Sequence, residues 1–216
     1  MADYEAMLEQ YYTGLLVPGD NCIDVGAHEG RHAFPMARLV GAGGSVQAFE
    51  PIPRMAEGMR AAMAGEAGLG NINLRQFALS EAPGTAEFVL VNEAPGYSGL
   101  RERQYDMDVT TQRIVVELRT LDSFLPELPR IRFLKVDCEG AETLVLRGAR
   151  GLLARDRPVV GFECGDAALS NYDHDAGDLF DHGLLLVRPD QVVAWCGTDT
   201  ADASAVWARV ACAPVP

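Results

Sequence analysis

Residues 22–30 read Cys22-Ile23-Asp24-Val25-Gly26-Ala27-His28-Glu29-Gly30, a short apolar run that breaks on a glycine turn. Cys22 to Val25 has the composition of a buried strand. Gly26 permits a backbone turn that residues with a Cβ resist, and Gly30 lets a following helix start close to the sheet. From Arg31 to Val40 the spacing of Phe34, Ala37 and Leu39/Val40 is helical, and the Gly41-Ala-Gly-Gly run ends it. The unit is therefore strand, glycine turn, helix.

Working outward, Ser45 to Glu50 reads as a second strand, Arg54 to Glu66 as a helix and Ile72 to Phe77 as a third strand. Three strands and two helices alternating within 80 residues require a parallel sheet with right-handed crossovers. The rhythm returns with a strand at Ile131 to Val136, a helix at Ala141 to Leu153 and a strand at Pro158 to Glu163. A short helix at Asp175 to Asp181, a strand at Leu184 to Val187 and a last strand at Ala205 to Cys212 complete the series. A short amphipathic helix over residues 1–14 precedes it. Thr85 to Val91 and Gln112 to Leu118 alternate as a strand pair on the flank. They bracket the polar stretch 92–111, long for a plain connection and a candidate lid.

The chain has 216 residues, 48% hydrophobic and 23% charged, the balance of one globular domain. Its net charge of −13 opposes close approach to a nucleic-acid backbone or an anionic leaflet. No apolar stretch reaches the roughly 18 residues of a membrane span, and the acidic N-terminus is unlike a secretory signal. Five cysteines, with Cys22, Cys138 and Cys164 in or beside apolar runs, read as reduced thiols of a cytoplasmic protein. The partner expected on these grounds is a small molecule, with no nucleic acid and no membrane.

The spacing of the turn selects among nucleotide ligands. A dinucleotide site needs G-x-G-x-x-G for backbone amides to approach a pyrophosphate. Here Ala27 follows Gly26 and His28 takes the second glycine's place, while Asp24 is poorly suited to phosphates. S-adenosylmethionine, with a cationic sulfonium and ammonium and no phosphate, suits a carboxylate beside the turn. Glu50, at the end of the second strand, has the position of the acid that accepts ribose hydroxyls.

Five strings together, CIDVGAHEG at 22–30, AFEPIP at 48–53, QFALSEAPGTAEF at 76–88, RTLDSF at 119–124 and FLKVDCEGAETLVLRGA at 133–149, resemble the FkbM family of methyltransferases. The resemblance runs from about Asn21 to Glu163. It implies an α/β, Rossmann-like class I methyltransferase fold: a mostly parallel seven-stranded sheet, helices on both faces, and an antiparallel last strand. It also implies that Asp24, Gly26, Ala27, His28 and Gly30 surround the methionine end of S-adenosylmethionine. Glu50 would then serve the ribose, and Phe77, Ala78 and Leu79 the adenine. The activity implied is O-methylation of a hydroxyl on a sugar or specialised metabolite, as in natural product biosynthesis. Two features depart from the family pattern: only about 20 residues precede the first strand, so any N-terminal cap is short, and the stretch 92–111 matches no assigned part of it.

Methyl transfer to an alcohol needs alignment, exclusion of water and a base. The period of two along Phe133 to Asp137 places Lys135 and Asp137 on one face, with Asp137 at the tip. Glu139 and Glu142 lie in the turn that follows, where charge at a helix N-terminus is an alternative role, and Glu163 ends the next strand. Such carboxylates require a shifted pKa, a pairing cation or a metal. Lys135, the only lysine, is the candidate cation; a divalent ion on Asp137, Glu139 and Glu163 is the alternative. His182, before the sixth strand, is a candidate base, whereas His32 and His174 carry no assigned role. Tyr97, Ser98, Arg101 and Arg103 in the middle stretch are candidates to touch the acceptor. Two other readings stand beside the enzyme: a catalytically silent cofactor-binding partner, and a nicotinamide-dependent oxidoreductase.

Overall fold

The computed structural model describes residues 4–100, 102, 108–162, 184–187 and 193–197. Its centre is a parallel five-stranded sheet. The strands are β1 (Asn21–Val25), β2 (Ser45–Phe49), β3 (Ile72–Arg75), β7 (Phe133–Val136) and β8 (Val159–Phe162), in the order β3-β2-β1-β7-β8. The order reverses between β1 and β7, which opens a crevice beyond their carboxyl ends. Helices α1 (Tyr4–Leu15) and α2 (Ala33–Val40) cover one face, while α4 (Glu142–Arg147) and α5 (Arg150–Asp156) cover the other. Helix α3 (Pro53–Gly65), which starts with proline at its first position, joins β2 to β3.

Central parallel strands are buried on both faces, which is why β1 and β7 read as continuous apolar runs. The pleat divides them between two cores. Ile23, Val25, Leu134 and Val136 pack with α4, α5 and the Phe77 and Phe124 rings. Cys22 and Phe133 pack on the other side with Tyr12 of α1 and Met36 of α2. Asp24 and Lys135 share that second face and are register partners across the β1–β7 ladder, a buried ionic pair inside an otherwise apolar layer.

The flanking pair is present as β5 (Gly84–Val91) and β6 (Thr111–Arg119), antiparallel. Together with the unanticipated two-residue strand β4 (Ala78–Leu79), which runs parallel to β6, they form a separate three-stranded sheet. Phe88, Leu90 and Val116 of this sheet pack on Ile52 and Met55 at the start of α3.

The single helix expected over 141–153 is two helices. The N–H of Asp122 donates to Gly148 O at 2.9 Å, and the Asp122 carboxylate accepts the N–H groups of Gly151 and Leu152 at 2.7 and 2.9 Å. Those bonds replace the ladder of a continuous helix and cap α5 from a 3₁₀ turn at Leu121–Phe124. Gly148 also lies so close to the β4 end that a Cβ would stand 2.1 Å from Ser80 O.

The strand at 184–187 is present as β9 (Leu184–Val187), paired antiparallel with β10 (Val193–Gly197) in its own ladder. The main sheet therefore has five strands among the described residues, against the seven expected. The helix at 175–181 and the strand at 205–212 lie outside the described residues. Among those described, no helix is long and apolar enough to cross a membrane.

Candidate active site

An open cleft of about 420 Å³ runs along the carboxyl ends of β3, β2, β1 and β7. Its floor is the glycine turn. The N–H groups of Gly26 and Ala27 both donate to Phe49 O at 3.0 Å, and His28 N–H donates to Glu50 Oε2 at 2.8 Å. These bonds hold Gly26 at φ +76° and His28 at φ +50°. A Cβ on residue 26 would lie 1.8 Å from Asp137 O, so only glycine lets the β1 and β7 ends approach this closely. Gly30, at φ +91°, faces Phe34 of α2, where a Cβ would meet the ring at 2.5 Å; it shapes the turn without lining the cleft.

Glu50 is 3% exposed, and its carboxylate also accepts Ile52 N–H at 2.7 Å. One side chain thus ties the glycine turn to the start of α3. Burial pushes its pKa up to about 7, against the two backbone hydrogen bonds that favour the anion. A carboxylate offers about four acceptor sites, so two remain for ligand hydroxyls. Beyond it Phe77, Ala78 and Leu79 form an apolar wall, with Phe77 stacked on Phe124 at 5.4 Å between ring centroids.

Lys135 is 3% exposed and central to the other half. Its Nζ lies 3.3 Å from Asp24 Oδ1 and 3.4 Å from Asp137 Oδ2, and donates to Gly26 O at 3.2 Å. Burial opposes its charge, but the Asp24 and Asp137 carboxylates more than offset this and raise its pKa. Lys135 is therefore a cationic strut between the two strand ends, its charge favoured by the carboxylates on either side. Asp24 is fully buried and does not line the cleft; neither of its oxygens has a hydrogen bond of good geometry among the described residues.

Asp137, its side chain 28% exposed, opens into the cleft at the tip of β7, with Cys138 and Glu139 beside it. Glu139 has a left-handed backbone at φ +56°. Glu142 turns inward instead: its carboxylate accepts the N–H groups of Cys138 and Gly140 at 2.8 and 3.1 Å and fastens the turn. Among the described residues no group of three His, Cys, Asp or Glu side chains is placed to hold a metal. Glu163, the third member of the possible metal set, and His182 lie outside the described residues, as do Arg101, Arg103 and His174.

The first half of the candidate lid, the stretch 92–111, forms a strap at the cleft: Val89 and Gly99 exchange backbone hydrogen bonds at 2.8 and 3.1 Å, Ser98 Oγ accepts Val91 N–H at 2.9 Å, and Tyr97 lines the cleft. The feature that sequence reasoning missed is α1. Glu5 and His32 both line the cleft, and His32, assigned no role above, is 2% exposed and hydrogen-bonded on both ring nitrogens. A histidine at a helix start with polar residues upstream was the available signal.

A parallel sheet in this order, with a glycine turn after β1 and an acid at the end of β2, defines a Rossmann-like fold of the class I methyltransferase type. Residues 24–182 match the family described as the methyltransferase FkbM domain. The chain belongs to that family. Among solved structures it is similar to methyltransferase FkbM from Methylobacillus flagellatus KT, with 14% identity and a TM-score of 0.53, covering 91% of this chain and 54% of that one. The chain thus spans about half the length of that protein. Fibrillarin from Aeropyrum pernix, solved with natively bound S-adenosyl-L-methionine, aligns with a TM-score of 0.51 and 15% identity over 87% of this chain and 71% of that one. No curated protein matches the chain.

Proposed function

We propose that this domain is an S-adenosylmethionine-dependent methyltransferase acting on a hydroxyl of a sugar or specialised small metabolite. One observation carries the reading: a single cleft joins the glycine turn, Glu50 and the apolar wall at Phe77 to Leu79 with a partly exposed carboxylate, Asp137, at the tip of β7.

The residues fit the donor. An apolar wall at Phe77 to Leu79 suits a purine, and the remaining acceptor sites of Glu50 suit ribose hydroxyls. Among the described residues the buried His28 Nε2 has no hydrogen-bond partner, and the two basic side chains that line the cleft, Arg31 and Lys135, are each paired with carboxylates instead of being gathered around a pyrophosphate. When bound, S-adenosylmethionine supplies an electrophilic methyl group on a sulfonium.

The chain's own residues do the rest. Lys135 fixes the glycine turn against β7, so the donor floor and Asp137 keep their spacing. Asp137 Oδ2 faces Lys135, which leaves Oδ1 to take the hydroxyl proton. The strap from Ala94 to Leu100 covers the acceptor side and excludes water, with Tyr97 offering a ring against which a sugar or aromatic alcohol packs.

Calorimetry with S-adenosylmethionine and S-adenosylhomocysteine, followed by radiolabelled methyl transfer across sugars, polyols and aromatic alcohols with and without chelator, tests the reading. Asp137→Asn is expected to keep donor binding and lower turnover by about 10²- to 10⁴-fold. Absence of binding by both nucleosides would overturn it.

A further inference from the structure

Three residues outside the turn and the strand tips form a hydrogen-bonded chain into the cleft. Glu5 Oε2 lies 2.5 Å from His32 Nε2, and His32 Nδ1 lies 3.1 Å from the Tyr12 hydroxyl. A carboxylate only accepts, so Nε2 carries the ring hydrogen and Nδ1 takes the hydroxyl hydrogen of Tyr12. Tyr12 is fully buried, and its ring packs against His32 at 5.6 Å and Phe133 of β7 at 5.8 Å. The chain Tyr12–His32–Glu5 is thus anchored in the core at one end and reaches the cleft at the other. Glu5 Oε1 has no partner among the described residues, and the Glu5 side chain is 52% exposed.

The position of Glu5 follows from the order of the strand ends. The apolar wall follows β3, Glu50 follows β2 and the glycine turn follows β1, so a nucleoside laid along them points its 5′ substituent toward β7 and the face covered by α1 and α2. Charge at that end is unbalanced. Asp24 and Asp137 share one ammonium, Lys135, and Arg31 is taken by Glu9 at 2.5 Å. The hydrogen bond from His32 lowers the pKa of Glu5, despite partial burial, and keeps it ionised.

We propose that Glu5, held by His32, receives the α-ammonium of the donor's amino-acid portion, so that the N-terminal helix contributes a donor-binding residue. The proposal rests on the methyl-donor reading above and assigns to α1 a contact that the glycine turn does not make.

The test compares two ligands and two proteins by calorimetry. S-adenosylhomocysteine carries the amino-acid portion; 5′-methylthioadenosine keeps the nucleoside and sulfur and lacks it. Glu5→Gln is expected to weaken S-adenosylhomocysteine binding roughly tenfold to a hundredfold, the loss of one charge-assisted hydrogen bond, and to leave 5′-methylthioadenosine unchanged. An unchanged S-adenosylhomocysteine affinity overturns the proposal. So does an equal loss for both ligands, which a purely structural role for Glu5 would give. Failure of the unmodified protein to bind either ligand instead sinks the donor reading itself. Glu5 is half exposed, so the variant should keep the thermal midpoint of the parent, and a lowered midpoint with equal losses counts against the proposal.

Discussion

Glu50 shows how one side chain sets both geometry and pH response. Its pKa stands near 7 in the folded chain, against an ordinary value of 4.5, because burial penalises the anion. A raised folded value means that the native state holds the proton more tightly than the unfolded chain. The contribution is full below about pH 4.5 and is lost as pH rises through about 7. The span corresponds to about 3 kcal/mol. Glu142, also raised by burial, acts in the same direction. Urea unfolding of the parent and of Glu50→Gln across this range should show a stability difference that shrinks as pH rises; a constant difference would mean that Glu50 ionises normally.

At the scale of elements, three hydrogen bonds tie the strap to β5 among the described residues. Ser98 Oγ accepts the buried Val91 N–H, and the two Val89–Gly99 bonds lie beside it. Its base is clamped where Glu93 accepts both the N–H and the hydroxyl of Thr110. Ser98→Ala leaves the Val91 N–H unpaired, at a cost of about 1–3 kcal/mol. Native-state hydrogen exchange should then show faster exchange at Val91 and Val89, with the central strands unaltered. Equal acceleration in β1 and β7 would show that strap and sheet open together. The length of 92–111 marked it as a candidate lid, but the path of the strap was not legible because its order comes from contacts across the flank: a Cβ on Gly99 would sit 3.1 Å from Glu139 O, a proximity no local pattern encodes. The break between α4 and α5 was hidden for the same reason, since Asp122, 29 and 30 residues before the N–H groups it accepts, supplies the cap. The alternation of β1, β2 and β7 with α2 and α3 was legible, because strands buried on both faces and helices ended by glycine carry their signal locally.

For the whole molecule, the excess of acid governs behaviour in solution. A net charge of −13 on 216 residues produces self-repulsion that salt screens. Raising ionic strength from about 0.01 to 0.15 M shortens the screening length from roughly 30 to 8 Å. The thermal midpoint should therefore rise over that interval, and a fall would show that ion pairs such as Arg31–Glu9 outweigh the repulsion. Part of the site was legible at this scale too: the lone lysine against 17 arginines singled out Lys135 as a cation for carboxylates, although its pairing with Asp24, read as a donor contact, was not anticipated. The chain from Tyr12 to Glu5 was not, because residues 20 and 27 positions apart meet only when α1 settles beside α2.

The double grip of Glu50 on His28 and Ile52 also restricts how this cleft can be redesigned. A shorter side chain, or one without two acceptor oxygens, chosen to admit a different nucleotide would release the loop that shapes the floor, so ligand preference at this position is inherited together with foldability. Attempts to retune the pocket meet a different constraint at Phe77 to Leu79, where the side chains hold no loop by hydrogen bonds but their packing on Phe49 and Phe124 has to be kept.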